Sequence, residues 1–293
     1  MHRSTFFQLD SKYTDSRTAR YHIVPIPYEG TVCFQHGTSR GPAAILGVSD
    51  QMEHFDEETL QEYFRAGIAT HPPIPGAKTP QLQMRRIYET VKQLDLFTEN
   101  RFPIFLGGEH SMTAPIVRAA KEHYEELTVL QVDAHADLRR EFTGGIYSHA
   151  AVMRRVLEIT PNMVQVGIRS FSAEEYRQCS EQIRRVITPK MMQDDFQFAL
   201  GRILYGLRGS VYISIDMDGF DPAIAPGVGT PEPGGLSWGL VIAILKRVFR
   251  EKHVIGADVV ETMPLGNGNI ITEFLAARLV GKLMAYDYAK FVC

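Results

Sequence analysis

The chain reads as an α/β protein built on a mainly parallel sheet with helices on both faces. Short apolar runs alternate with segments of helical period, and several of those runs are apolar at consecutive rather than alternate positions. Continuous apolarity is the mark of strands covered on both faces, and strand–helix alternation implies βαβ units. A third observation is that polar clusters follow the ends of the apolar runs, where an open parallel sheet places its functional groups.

The runs predict eight strands, at Tyr21–Ile26, Gly67–Thr70, Phe102–Leu106, Leu127–Val132, Met163–Ile168, Arg185–Ile187, Val211–Ile215 and Val254–Val260. Helical periodicity falls between them at Gln81–Phe97, Ala114–His123, Ala150–Ile159 and Leu240–Arg250. A last helix carries Ile271, Phe274, Leu275, Leu279, Leu283 and Tyr286, the i, i+3, i+4 stripe of a helix packed on a sheet. The proline-rich segment His71–Pro80 is expected to be a loop. There is no internal repeat and no low-complexity linker, so residues 1–293 are expected to form one domain, with ample chain to bury a core.

Composition excludes several classes of function. Lys plus Arg number 31 and Asp plus Glu 34, a formal charge of −3, without the clustered basic excess of a nucleic-acid binder. Cys33, Cys179 and Cys293 are odd in number and widely spaced, which fits reduced thiols rather than a disulfide framework or a zinc knuckle. The first twenty residues hold no apolar run for a signal peptide, and no stretch approaches the roughly 20 apolar residues of a membrane span. A soluble, cytoplasmic protein that binds neither nucleic acid nor membrane is expected.

Three polar clusters carry the chemistry. Gly107-Gly108-Glu109-His110-Ser111 follows Phe105-Leu106. Asp133-Ala134-His135-Ala136-Asp137 follows the strand ending at Val132, and Asp216-Met217-Asp218-Gly219-Phe220-Asp221 follows Ile215. Any one alone could be a turn or a helix cap, since aspartate and serine favour both. Together they bring His110, Asp133, His135, Asp137, Asp216 and Asp218 to one sheet edge. Four carboxylates packed there would repel one another severely without cations. Two divalent metals would relieve that, and oxygen and imidazole ligands without thiolate favour Mn²⁺ or a similar ion. Paired metals roughly 3.5–4 Å apart share and acidify a water.

The motifs GGEHS, DAHAD and SIDMDGFDPAIAPGVGTPEPGG resemble the signatures of the ureohydrolases, which include arginase, agmatinase, guanidinobutyrase and formiminoglutamase. The resemblance runs from about Gly30 to the C-terminus. It implies a three-layer α/β/α arginase-like fold with an eight-stranded, mainly parallel sheet and two Mn²⁺ per chain. One ion would be held by His110, Asp133, Asp137 and Asp216, the other by His135, Asp133, Asp216 and Asp218. It further implies a hydroxide attacking the guanidinium carbon, with Asp137 accepting its hydrogen bond. His149 matches the family histidine that passes a proton to the departing amine, a task suited to imidazole. Glu261 matches the glutamate that grips the guanidinium. Both would read as ordinary loop residues outside that context, and Asp221 before Pro222 reads as a turn residue. Glu109 departs from the aspartate that many relatives carry in GGDHS.

The resemblance also bears on the substrate. Arginases carry an asparagine two positions after DxHxD and an aspartate after GxR, where this chain has Arg139 and Ser170. The segment DLRREFTGGIYSHAAVMRR instead looks like agmatinases, which convert agmatine to putrescine and urea in polyamine biosynthesis. N1-aminopropylagmatine, guanidinobutyrate and arginine are the alternative substrates, and a non-catalytic regulator would be expected to have lost ligands that are all in place here. Trimers or hexamers are implied for the assembly.

Overall fold

A computed structural model describes residues 5–143 and 145–291. Its centre is a single seven-stranded sheet in which every pairing is parallel. The strands are β1 (Tyr21–Ile26), β2 (Ile68–Thr70), β3 (Phe102–Gly107), β4 (Leu127–Val132), β5 (Met163–Val166), β6 (Ser210–Asp216) and β7 (His253–Val260), in the order β2-β1-β3-β7-β6-β4-β5. Their residues are buried almost without exception, which explains the continuous apolar runs.

Alternate strand residues enter two separate cores. Tyr21, Ile23, Ile104, Leu130, Ile213 and Val259 pack beneath the helices Gly41–Ser49, Phe196–Gly206, Trp238–Glu251 and Ile271–Phe291. Val24, Ile26, Phe105, Val129, Tyr212 and Val260 pack beneath Pro80–Leu94, Thr113–Lys121 and Val152–Leu157 on the opposite face. The result is the three-layer α/β/α arrangement that the alternation predicts.

The eighth expected strand, Arg185–Ile187, does not form. Only Ile187 pairs, as an isolated parallel bridge to Val166, with its amide donating to the Gln165 carbonyl and its own carbonyl accepting from Gly167. The helix Ser180–Ile183 ends just before it, and the cap Thr188 opens the helix Pro189–Asp194 just after, so a single extended residue is all that reaches the sheet. Helix ends also differ from expectation. The segment expected to run to Phe97 stops at Leu94, where Asp95 takes a left-handed backbone with φ 47°. His149–Ala151 is a separate 3₁₀ turn before Val152. Among the described residues no helix is long and apolar enough to cross a membrane.

Candidate metal centre and substrate cavity

Four neighbouring strands, β3, β7, β6 and β4, deliver the site from their carboxyl ends. Past β3 the chain makes a tight turn at Gly107-Gly108 before the 3₁₀ turn His110–Met112. Gly108 is required there, because a Cβ would lie 2.1 Å from the Tyr28 carbonyl oxygen. Past β4 come Asp133 to Asp137, past β6 a 3₁₀ turn carrying Asp218, and past β7 Glu261. Asp137 and Glu261 have left-handed backbones, with φ of 53° and 62°. Such strain gathers at functional sites and costs of order 1–3 kcal/mol for a residue without a glycine's freedom.

All six residues expected to hold metal converge. His110 Nδ1 lies 3.1 Å from Asp133 Oδ2, 3.2 Å from Asp137 Oδ2 and 3.3 Å from Asp216 Oδ2. It is nevertheless a buried nitrogen with no hydrogen-bond partner. His135 Nδ1 lies 2.9 Å from Asp218 Oδ2 and 3.7 Å from Asp133 Oδ1. Two groups of ligand atoms have the spacing to hold an ion, His110 with Asp133 and Asp216, and Asp133 with His135 and Asp218, so Asp133 belongs to both.

The surroundings hold these groups in the form a cation needs. Tyr212 Oη and Thr113 Oγ1 donate to Asp258 Oδ2, while Ser214 Oγ donates to Asp258 Oδ1 at 2.7 Å. With its hydrogen so spent, Ser214 accepts from His110 Nε2 at 2.9 Å, which leaves Nδ1 as the His110 nitrogen beside the carboxylates. Gln131 Nε2 donates to Asp133 Oδ2, and the Asp218 amide donates to Asp216 Oδ1. Ala134 N and Thr230 Oγ1 donate to the two oxygens of Asp218. The backbone is fixed by Arg169, whose guanidinium donates to the carbonyls of Asp218 and Glu232 at 2.9 and 2.6 Å.

The electrostatics demand positive charge. Burial and then the charge of Asp133 push Asp137 up to about 7. Asp216 and Asp218 are raised by burial and by their neighbours' charge. Burial opposes a charge on His135, yet its contacts with Asp133 and Asp218 prevail and lift it to about 12. The orphaned Nδ1, the converging oxygens and the thiolate-free donor set all fit a pair of divalent cations.

A cavity of about 300 Å³ opens over this cluster. It is lined by His110, His135, Asp137, Asp216, Asp218 and Glu261 of the cluster, by His149, and by Arg139, Phe142, Ser170 and Phe171. Glu261 Oε1 accepts the His110 amide at 2.7 Å, and burial followed by the charge of Glu109 raises its carboxyl well above the usual range. Burial, then the neighbouring His110 and His135, lowers His149 to about 4. Arg139 is stacked on Phe142, its guanidinium carbon 4.7 Å from the ring centroid. Asp221 serves a turn, accepting the amides of Ala223 and Gly235.

Several participants carry no signal in the sequence. Cys33 lines the cavity, with Sγ 3.6 Å from His149 Nε2. Phe142 meets the His149 ring edge-on, their centroids 6.2 Å apart. Asp258 had one usable sign, a lone acid inside an otherwise apolar strand. Cys33 and Cys179 are free thiols, and Cys293 lies outside the described residues.

Comparison with known proteins agrees with this geometry. The sequence profile of the arginase family matches residues 19–286. The N(1)-aminopropylagmatine ureohydrolase of Synechocystis is 39% identical over 90% of this chain and 88% of its own length. The agmatinase of Pyrococcus horikoshii is 32% identical over 94% of each chain. The crystal structure of agmatine ureohydrolase from Thermoplasma volcanium superposes with a TM-score of 0.87 at 29% identity, covering 100% of this chain and 97% of that one. The fold, the strand-end motifs and these relatives together place the chain in the arginase family, as a ureohydrolase.

Proposed function

We propose that the chain hydrolyses the guanidinium group of N1-aminopropylagmatine, releasing urea and spermidine, with two Mn²⁺ held by His110, Asp133, His135, Asp137, Asp216 and Asp218. The observation that carries a hydrolytic reading is His110 Nδ1, unpartnered among three carboxylates. When bound, such a metal pair supplies an acidified water and electrophilic assistance. Glu261 stands where its free oxygen can bind the planar cation, while its other oxygen is held by the His110 amide. Asp137 takes up the proton of the attacking water. His149, neutral at rest, accepts that proton at its cavity-facing nitrogen and passes it to the departing amine, and Cys33, Phe142 and Phe171 shield the substrate's methylene chain.

Substrate choice rests on the relatives and on the walls of the cavity. The relative named for N1-aminopropylagmatine is 39% identical, against 32% for the agmatinase. The positions that carry asparagine and aspartate in arginases are the wall residues Arg139 and Ser170, and the Arg139 guanidinium lies over the Phe142 ring. Agmatine, whose hydrolysis gives putrescine, is the second reading, because it presents the same guanidinium on a shorter chain. A substrate carboxylate would be buried without its expected partners, at a cost of roughly several kcal/mol.

Steady-state kinetics on N1-aminopropylagmatine, agmatine, guanidinobutyrate and arginine test this. The expected order places the two carboxylate-free compounds at least about a hundredfold above arginine in kcat/KM. Preference for agmatine would exchange the first reading for the second. Preference for arginine or guanidinobutyrate would overturn both and assign Arg139 to a carboxylate. The activity is proposed for a cytoplasmic trimer or hexamer, which sedimentation would check.

A further inference from the structure

We infer that Glu109 and Thr31 form a relay that sets the tautomer of His149, placing its proton on Nδ1 and leaving Nε2 bare toward the cavity. The inference rests on the reading of His149 as the residue that passes a proton to the amine. Glu109 is fully buried, and all of its partners are donors or hydroxyls. Its Oε2 accepts the amides of Gly30 and Thr31 at 2.7 and 2.6 Å. Its Oε1 accepts from Thr31 Oγ1 at 2.8 Å and from Ser111 Oγ at 2.5 Å. Thr31 is buried as well, and its Oγ1 accepts the His149 amide at 3.0 Å and lies 3.1 Å from His149 Nδ1.

Counting hydrogens fixes the direction. A hydroxyl has one hydrogen to give and two lone pairs to receive. The backbone amide of His149 can only donate, so it takes one lone pair of Thr31. The Thr31 hydrogen points to the Glu109 carboxylate, which carries three other donors. The one role left for Nδ1 is to donate into the second lone pair. The opposite tautomer would set two acceptors, Nδ1 and Oγ1, against each other at 3.1 Å. Nε2 is thereby the basic nitrogen, and it is the one beside Cys33 at the cavity wall. Phe142 also meets the ring, edge-on. An aspartate at 109, one methylene shorter, would draw the acceptor back from Thr31, which gives the glutamate a specific task here.

Thr31 and Glu109 are positioning residues, and the test separates position from mere support. Protein carrying ¹⁵N-histidine, loaded with diamagnetic Mg²⁺ or Zn²⁺ for the spectra and with manganese for the kinetics, would be compared as wild type, Thr31→Val, Thr31→Ser and Glu109→Gln, with the His149 ring signals assigned by their loss in His149→Ala. The expected wild-type spectrum shows His149 protonated on Nδ1. Thr31→Val should shift that signal toward the Nε2-protonated form and lower kcat at least about tenfold, equivalent to ~1.4 kcal/mol, with KM and metal content within about twofold. Thr31→Ser, which keeps the hydroxyl, should recover the Nδ1 signal and most of the turnover. Glu109→Gln should mix the two tautomers. A wild-type ring protonated on Nε2, or a Thr31→Val ring that keeps the wild-type signal, would overturn the relay. Unchanged turnover in His149→Ala would instead overturn the role of His149 itself, while the nitrogen spectrum still decides the relay.

Discussion

His110 Nδ1 sits 3.1 Å from Asp133 Oδ2 and yet does not hydrogen-bond to it. Both residues belong to a ligand group, with Asp216, whose atoms are spaced closely enough to hold one ion. The chain Asp258–Ser214–His110 holds the His110 ring in place. Ser214→Ala should therefore weaken divalent-metal affinity by roughly 10–100-fold, the usual worth of such a partner. Asp133→Ala should be more severe, because Asp133 belongs to both ligand groups. Metal titration of apo-protein, followed by atomic absorption, would show the order, and equal affinity in wild type and Ser214→Ala would count against it.

Removing the imidazole of His149 should lower turnover by roughly 10²–10⁴-fold, the range for loss of a general acid or base. Metal content should stay normal, because His149 contributes to neither ligand group. Parallel measurement of kcat and bound manganese in His149→Ala separates this from a collapsed site.

A pH effect on stability should arise away from the site. His22 Nδ1 faces His71 Nε2 at 2.9 Å and its Nε2 faces the Ala19 carbonyl at 3.1 Å. Burial, then His71 and Arg101, lowers His22 to about 4 from its ordinary 6.5. Below pH 6.5 the unfolded chain takes up a proton that the folded chain refuses, so this contribution is complete above pH 6.5 and drains away as pH falls toward 4. The difference in pKa corresponds to roughly 3 kcal/mol. Urea unfolding at pH 7 and pH 4.5 should show a smaller loss in His22→Gln than in the wild type.

Gly108→Ala should destabilise the fold and the site together. The added methyl would meet the Tyr28 carbonyl, and relieving that contact would part the ends of β1 and β3, at roughly 1–3 kcal/mol. A lowered melting temperature with reduced metal binding is the expected pair of results.

The layered fold and the ligand-bearing strand ends were legible because burial on both faces leaves unbroken apolar runs, and acids or imidazoles closing such runs stand out. Arg185–Ile187 misled because a β-branched pair between two helices looks like a strand, while pairing depends on how many extended residues the neighbouring helices leave. Thr31, Cys33 and Phe142 were invisible for another reason. Glu109 sets the course of Gly30 and Thr31 across 79 and 78 positions, while Cys33 and Phe142 enter the site through their contacts with His149. Periodicity carries no trace of such contacts. Glu109 itself was seen as an oddity in GGEHS, but its purpose became readable only with Thr31 and His149 beside it.

The order β3-β7-β6-β4 at the heart of the sheet has a consequence for how the protein matures. Side chains that are neighbours in the site are separated by about half the chain, since Glu261 accepts the His110 amide across 151 positions. A nascent chain released before β7 would lack the strand between β3 and β6, and with it the distance that sets His110 against Asp133 and Asp216. The group His110, Asp133 and Asp216 thus needs the closed sheet, whereas Asp133, His135 and Asp218 stand on the directly paired β4 and β6. Any ion bound there would also brace the whole sheet against unfolding, because it favours the completed native state alone.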